Sequence, residues 1–190
     1  MKVVCLLGSP RAKGNSAAIA NRFCTTAEKL GAEVQAFALN KLEYRGCQAC
    51  MACKTKLDNC ALEDDLTGVL DAVRETDVLV LASPVYYGDL SSQLKGFIDR
   101  SYSYLGSDYL TNPKASRLSG GKKLVFILTQ GNPDQERFAD IFGRYDYFFK
   151  WYGFTESHLI RACGVREAGA VEAHDNVMKL AETMAEKICR

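Results

Sequence analysis

The chain has 190 residues, 47% of them hydrophobic and 25% charged, with a formal net charge of +1. Such a chain can bury an ordinary core, and its near-neutral balance excludes the basic footprint of a nucleic-acid binder and the acidic tail of a charge-steered partner. The first apolar run stops at Gly8 and no later run is long enough for a membrane span, so a cytoplasmic protein with no membrane and no nucleic-acid partner is expected.

In chain order, KVVCLL (2–7) is a continuous apolar run ended by Gly-Ser-Pro and reads as a strand buried on both faces. A helix follows from about Ser16 to Leu30, stopped by Gly31. Residues 32–39 form a short second strand, and a cysteine-rich loop occupies 46–63. Asp64 and Asp65 open a helix whose apolar residues Leu66, Val69, Leu70 and Val73 share one face. The third strand covers 77–83, and a helix covers 91–105. Residues 106–121 are turn-rich and read as a surface excursion. A fourth strand (122–130), a helix (134–153), a fifth strand (154–163) and a last helix (170–188) complete the series. This alternation predicts one α/β domain over 1–190, a five-stranded parallel sheet of order 2-1-3-4-5 with helices on both faces. Ligands of such sheets bind beyond the carboxyl ends of the strands, so the loops after strands one, three and four carry the interest.

The first of these loops, GSPRAKGNS (8–16), leads into a helix N-terminus, where free N–H groups and the positive end of the dipole favour an anion. Ser9, Asn15 and Ser16 add donors and Arg11 a charge, a set suited to a phosphate. The spacing fits neither a Walker A loop nor a G-x-G-x-x-G turn, and a plain capped turn is the simpler alternative. The second loop, SPVYYGDL (83–90), carries two adjacent tyrosines that either face a planar ring or fill the space under a turn. The third, TQGNPD (129–134), is polar, with Gly131 allowing close backbone approach. Together the loops describe a phosphate at one end and a flat heterocycle at the other, the shape of a flavin mononucleotide. The two histidines, His158 and His174, read as structural or surface residues, and no acid, base or nucleophile stands out, so the chemistry belongs to a cofactor.

At these residues the sequence resembles the NAD(P)H-dependent FMN reductase group of the flavodoxin-like superfamily. GSPRAKGNS is similar to its phosphate loop, and the segment 83–100 to its isoalloxazine loop and following helix. The resemblance implies a flavodoxin-like three-layer sandwich with FMN bound. Ser9, Arg11, Asn15 and Ser16 would hold the phosphate. Pro84, Val85, Tyr86, Tyr87 and Gly88 would hold the ring, and Thr129, Gln130 and Gly131 would close its other side. It also implies transfer of reducing equivalents from NAD(P)H or a redox protein donor, through FMN, to an acceptor such as a flavin or quinone. An electron carrier without a small-molecule substrate is the alternative.

GCQACMACKTKLDNC (46–60) places Cys47, Cys50, Cys53 and Cys60 within fourteen positions. With the acidic pair that follows, it resembles the iron–sulfur flavoprotein branch, which implies a [4Fe–4S] cluster on these four thiolates. The C-x2-C-x2-C core agrees with ferredoxin spacing, but the last gap is longer. Zinc and a packed loop of free thiols stand beside the cluster as alternatives, and Asp64 and Asp65 read as a helix cap. The other cysteines, Cys5, Cys24, Cys163 and Cys189, read as small buried hydrophobes. In the helix over 134–153, Phe138, Phe142, Tyr145, Phe149 and Tyr152 can face the sheet while Tyr147, Phe148 and Trp151 cannot. The latter three predict a homo-oligomer built on this helix, or else a thick local core reaching into the excursion.

Overall fold

The computed structural model describes every residue of the chain except Ala12, which lies in the first loop. Five parallel strands form the sheet: β1 (Lys2–Leu7), β2 (Glu33–Ala38), β3 (Val78–Tyr86), β5 (Lys122–Thr129) and β6 (Phe154–Ala162). Their order is β2-β1-β3-β5-β6, the expected 2-1-3-4-5 once a small extra strand, β4 (Asp89–Leu90), is set aside. β4 pairs antiparallel with the end of β3, Val85 opposite Leu90 and Tyr86 opposite Asp89. The third strand therefore runs past the expected residue 83 and turns back as a hairpin.

Alternation along the strands assigns the two faces. Val3, Cys5, Val78, Val80, Val125 and Ile127 pack under α1 (Asn15–Lys29) and α6 (Asp175–Cys189). Their neighbours Val4, Leu6, Leu79, Leu81, Leu124 and Phe126 pack under α3 (Leu66–Glu75), α4 (Ser92–Arg100) and α5 (Asp140–Trp151). Each such buried side chain contributes about 1.5–3 kcal/mol, and a strand buried on both faces explains the unbroken apolar runs. Among the described residues no helix is long and apolar enough to cross a membrane.

Three boundaries differ from expectation for local reasons. α4 stops at Arg100, and a 3-10 turn over Ser101–Tyr104 replaces its last expected turn. α5 begins only at Asp140, because Phe138 holds a left-handed φ of 64° that no right-handed helix accepts. Before it, Asn132 accepts from the Asp134 N–H at 2.9 Å and Asp134 from the Glu136 N–H at 3.0 Å, a turn rather than a helix. The last helix is split, a 3-10 turn at Ala170–Ala173 preceding α6. The cysteine segment is a loop, as expected, apart from one helical turn, α2 (Ala52–Thr55).

Candidate functional site

Strand register brings the three expected loops together. Leu7 pairs with Ala82, Pro84 with Thr129, and Thr129 with Ala162, so β1, β3, β5 and β6 end along one edge. Ser91 welds the first two loops: its hydroxyl donates to the Gly8 carbonyl at 2.7 Å, and its N–H donates to the Ser83 hydroxyl at 3.0 Å. The Gly8 N–H donates to the Ala82 carbonyl at 2.8 Å. Gly8 must be glycine, since a Cβ there would lie 2.8 Å from the Leu94 Cβ.

The N-terminus of α1 is built to receive an anion. Gly14 provides no side-chain cap, and the first turn holds no acidic residue. The Ser16 hydroxyl is buried without a hydrogen-bond partner among the described residues, an uncommon and costly state for a protein oxygen. A Cβ on Gly14 would stand 2.3 Å from the Ser9 hydroxyl, so glycine keeps the turn tight. These features fit a phosphate, with Ser16 the unbonded side chain there; the Ser9 hydroxyl accepts from the Arg11 N–H at 3.2 Å and closes the turn beside it. Asn15 and Arg11 are placed differently. Both amide hydrogens of Asn15 go to the Val165 and Glu167 carbonyls, at 3.1 and 2.9 Å, and its oxygen accepts from the Val171 N–H at 3.1 Å. Arg11 donates to the Arg166 carbonyl at 2.9 Å. Both residues clamp a fourth loop, 163–171, against the first. Sequence reasoning missed that loop, whose only signal was its position after a strand.

The hairpin between β3 and β4 carries the aromatic residues. Tyr87 and Gly88 have φ of 52° and 85°, the two positive values of a type I′ turn. Tyr87 is wholly solvent-exposed and Tyr86 is 40% exposed, so neither fills the space beneath the turn. Pro84 and Val85 are half-buried at the strand end. Phe138 was expected on a helix face; its ring instead comes within 3.4 Å of the Cβ position of Gly88 and backs the hairpin. Asp89 fixes the far side by accepting from the Tyr145 hydroxyl at 2.8 Å and pairing with Arg144 at 3.3 Å. In the third loop, Thr129 and Gln130 are buried. The Gln130 side chain donates to the Asn132 and Asp134 carbonyls and accepts from Arg161 at 2.6 Å. Gln130 thus shapes the loop from within, leaving its surface to Gly131 and the backbone.

The cysteines form a second centre. Cys47, Cys50, Cys53 and Cys60 all line one cavity of about 120 Å3, shared with Arg100, Tyr102 and Ser103. Ala49 and Met51 take left-handed φ of 50° and 58°, non-glycine strain placed between successive cysteines. These reversals let the loop curl round the void. Among the described residues, no three His, Cys, Asp or Glu groups converge on a single-ion position. Four thiols lining one cavity are the donor set that an iron–sulfur cluster takes. Burial pushes the Cys53 thiol up, partly countered by Lys54.

Side chains brace this loop. Lys54 donates to the Tyr102 and Leu105 carbonyls, both at 2.6 Å, and lies over the Tyr102 ring. Arg117, from the excursion, donates to the Cys53 and Ser103 carbonyls at 2.8 and 2.9 Å. Arg100 is fully buried and donates from one nitrogen to both Asp64 oxygens at 2.6 Å, and from the other to the Leu62 carbonyl at 2.8 Å. Asp64 does accept from the Leu66 N–H at 3.1 Å, like a cap, but Arg100 is its principal partner. Asp65 makes no cap; it accepts from the Glu43 N–H at 2.8 Å. Burial raises the Asp64 carboxyl, and Arg100 with the Arg45 and Leu66 N–H groups outweighs it, leaving the pKa below the ordinary value. Arg100 could have been found from the sequence: it falls three residues after Phe97, on the apolar stripe of its helix.

A groove of about 810 Å3 joins the two centres, running from Cys47 and Ala49 to Asp89 and Tyr145. Tyr147, 55% exposed, and Phe148, 48% exposed, line it. Trp151 contacts both, and also Tyr109 of the excursion with ring centroids 5.9 Å apart. The expected patch is thus partly a thick local core and partly open.

Comparison with known proteins adds four findings. The sequence profile of the family described as NADPH-dependent FMN reductase matches residues 1–136. An iron-sulfur flavoprotein of Archaeoglobus fulgidus is 36% identical over 104 residues, covering 55% of this chain and 47% of its own. One from Methanosarcina thermophila is 32% identical over 122 residues, covering 64% of this chain and 63% of its own. The chain therefore spans roughly half to three-fifths of the length of these curated relatives. In fold, an NAD(P)H:quinone oxidoreductase from Methanothermobacter marburgensis superimposes with a TM-score of 0.77 at 16% identity, covering 100% of this chain and 96% of that one.

Proposed function

Given that the chain belongs to the NADPH-dependent FMN reductase family, we propose that it is an FMN-dependent oxidoreductase with a [4Fe–4S] cluster on Cys47, Cys50, Cys53 and Cys60. In this reading it passes reducing equivalents from NAD(P)H or a redox protein to an acceptor such as a quinone or flavin. The observation that carries the reading is the pairing, in one chain, of an uncapped α1 N-terminus holding the orphaned Ser16 hydroxyl with a cavity lined by all four clustered cysteines. The relatives named as iron-sulfur flavoproteins support the second half.

When bound, FMN supplies hydride acceptance and one- or two-electron delivery, and the cluster supplies one-electron exchange. The chain's own part is positioning and electrostatics. Ser16 and the first N–H groups of α1 hold the phosphate, and the Ser9 hydroxyl closes the turn beside it. Pro84 to Gly88 present the hairpin edge and its tyrosines to the ring, and Thr129 to Gly131 close the other side. Arg11 and Asn15 act by fixing loop 163–171 over the first loop. No side chain is assigned a proton-transfer role. Cys47 and Cys50 are exposed at the rim of their cavity, which favours a protein electron donor docking there. The reading also includes a cytoplasmic homo-oligomer that covers Tyr147 and Phe148, checked by sedimentation.

The deciding experiment is anaerobic purification, an absorption spectrum, iron and acid-labile sulfide assays, and turnover with NADH and NADPH against a quinone. Flavin bands with roughly four irons per chain, the cubane stoichiometry, and nicotinamide turnover are expected. Flavin and iron without turnover would favour the electron carrier. Flavin without iron would remove the cluster, and no flavin after FMN addition would remove the whole reading.

A further inference from the structure

The fourth loop, 163–171, bridges the sheet edge. The Val165 N–H donates to the Gln130 carbonyl at 3.0 Å and the Gly164 N–H to the Asn132 carbonyl at 3.1 Å, which ties it to the third loop. Asn15 and Arg11 tie it to the first. Arg166 projects from this bridge. Its Cβ and Cγ run past Gly131, 3.5 and 3.7 Å from where a Cβ of that residue would stand. The Arg11 guanidinium, bonded at 2.9 Å to the Arg166 carbonyl, lies beside it. Two exposed cations thus share one rim. Arg11 spends one nitrogen on that carbonyl, and the Arg166 side chain donates no hydrogen bond among the described residues. The carboxylates of the same loops, Asp134, Glu136 and Glu167, are exposed, and among the described residues none of them forms an ion pair with either arginine. Like charges gathered without a counterion favour an anionic ligand. Adjacent guanidinium forks suit a phosphate monoester, whose free oxygens carry about two negative charges.

Resting on the FMN reading above, we propose that Arg166, with Arg11, grips the 2′-phosphate of NADPH and makes that nucleotide the preferred hydride donor. The FMN phosphate goes to Ser16 and the α1 N-terminus, so this rim serves a different phosphate. The other nucleotide of the reaction is the nicotinamide donor, whose reactive end must meet the flavin ring at the β3–β4 hairpin. Arg166 follows β6, two strands across from β3, roughly 10 Å at the usual strand spacing. That distal side suits the adenosine half of the donor. NADPH carries a monoester phosphate on that half, and NADH carries none.

The test is isothermal titration calorimetry of the FMN-loaded protein with adenosine 2′,5′-bisphosphate and, separately, with adenosine 5′-monophosphate. The bisphosphate should bind about tenfold tighter. Arg166→Ala removes a side chain that bonds to nothing among the described residues and leaves the carbonyl that Arg11 uses. It should erase the preference, with FMN affinity and Tm unchanged, and raise the KM for NADPH about tenfold at constant kcat. Arg166→Lys, which keeps the charge and loses the fork, should keep part of the preference. Equal binding of the two nucleotides by the wild type, or a preference that survives Arg166→Ala, would overturn this inference and leave the FMN reading intact. Weaker FMN binding in Arg166→Ala would assign the arginines to the flavin phosphate and overturn it as well. A wild-type protein that takes up no FMN would overturn both.

Discussion

At the sheet edge, Ser16, Pro84 and Thr129 are placed by strands whose register is fixed over the whole length of the sheet. In the cysteine segment, Cys47 to Cys60 are placed by side chains: Arg100, Lys54 and Arg117 grip carbonyls where no strand or long helix runs. The first centre inherits the rigidity of a core buried on both faces. The second rests on three cations, Arg100 buried and Lys54 and Arg117 half-buried, each doing what a whole ladder does elsewhere. A backbone held by topology tolerates loss of one polar contact. A loop held by three cations does not, and its left-handed Ala49 and Met51 store strain that those contacts must offset.

Arg100→Ala attacks the weaker construction most directly. It leaves Asp64, only 17% exposed, without its partner, and removes the clamp on Leu62 and Arg45. Breaking a buried pair in this way costs about 3–5 kcal/mol. Thermal and urea unfolding should both record it, with iron uptake abolished in parallel. Acid reports the same pair. Because the Asp64 pKa is lowered in the folded protein, its contribution is complete above the ordinary carboxylate value of about 3.9 and is lost as pH falls through the lowered one. Asp64→Asn should therefore remove part of the acid sensitivity of stability. Unchanged acid unfolding in that variant would show that Asp64 is not the titrating brace.

The sheet edge should fail in binding before it fails in folding. Gly14→Ala keeps an allowed backbone, φ −71°, yet drives a methyl against the Ser9 hydroxyl. About 30-fold weaker FMN binding, ~2 kcal/mol, is expected in a fluorescence titration of apoprotein, with stability nearly unchanged. Ser16→Ala should cost about tenfold in the same titration, ~1.4 kcal/mol. Its free-protein stability should not fall, because the hydroxyl has no partner among the described residues to lose. Asn15→Ala makes the contrast: it breaks three bonds to loop 163–171, so stability falls by about 1–3 kcal/mol along with affinity. Equal stability losses in the Ser16 and Asn15 variants would erase the distinction between ligand and clamp.

The sheet edge was legible because its signals are local: apolar runs give strands, Gly-Ser-Pro ends one, and the alternation sets the order. The roles of Asn15 and Arg11 were not, because the loop they clamp begins some 150 residues away. The cysteine spacing was legible as a metal pattern, but nothing in it separates cluster, zinc and free thiols. The cavity depends also on Arg100 and Ser103, which arrive from α4 and the turn after it. Phe138 was misplaced because an aromatic four residues before Phe142 continues a helical stripe, and a left-handed residue leaves no mark in composition.

Tyr87→Gly reaches the smallest effect and the finest distinction between binding and folding at the sheet edge. Tyr87 holds φ +52° with its side chain wholly in solvent, so it has conformational cost and no packing in return. Glycine accepts that conformation freely, and the left-handed penalty it removes is about 1 kcal/mol. The free protein should therefore become more stable by up to that amount, seen as a higher Tm of the apoprotein. FMN binding should weaken at the same time, because the exposed ring that faces the proposed cofactor is gone. Opposite signs in the two measurements are what a residue held under strain for a ligand must give. If stability and affinity rise together, Tyr87 is an ornament of the turn, and the ring contact belongs to Tyr86 and Phe138.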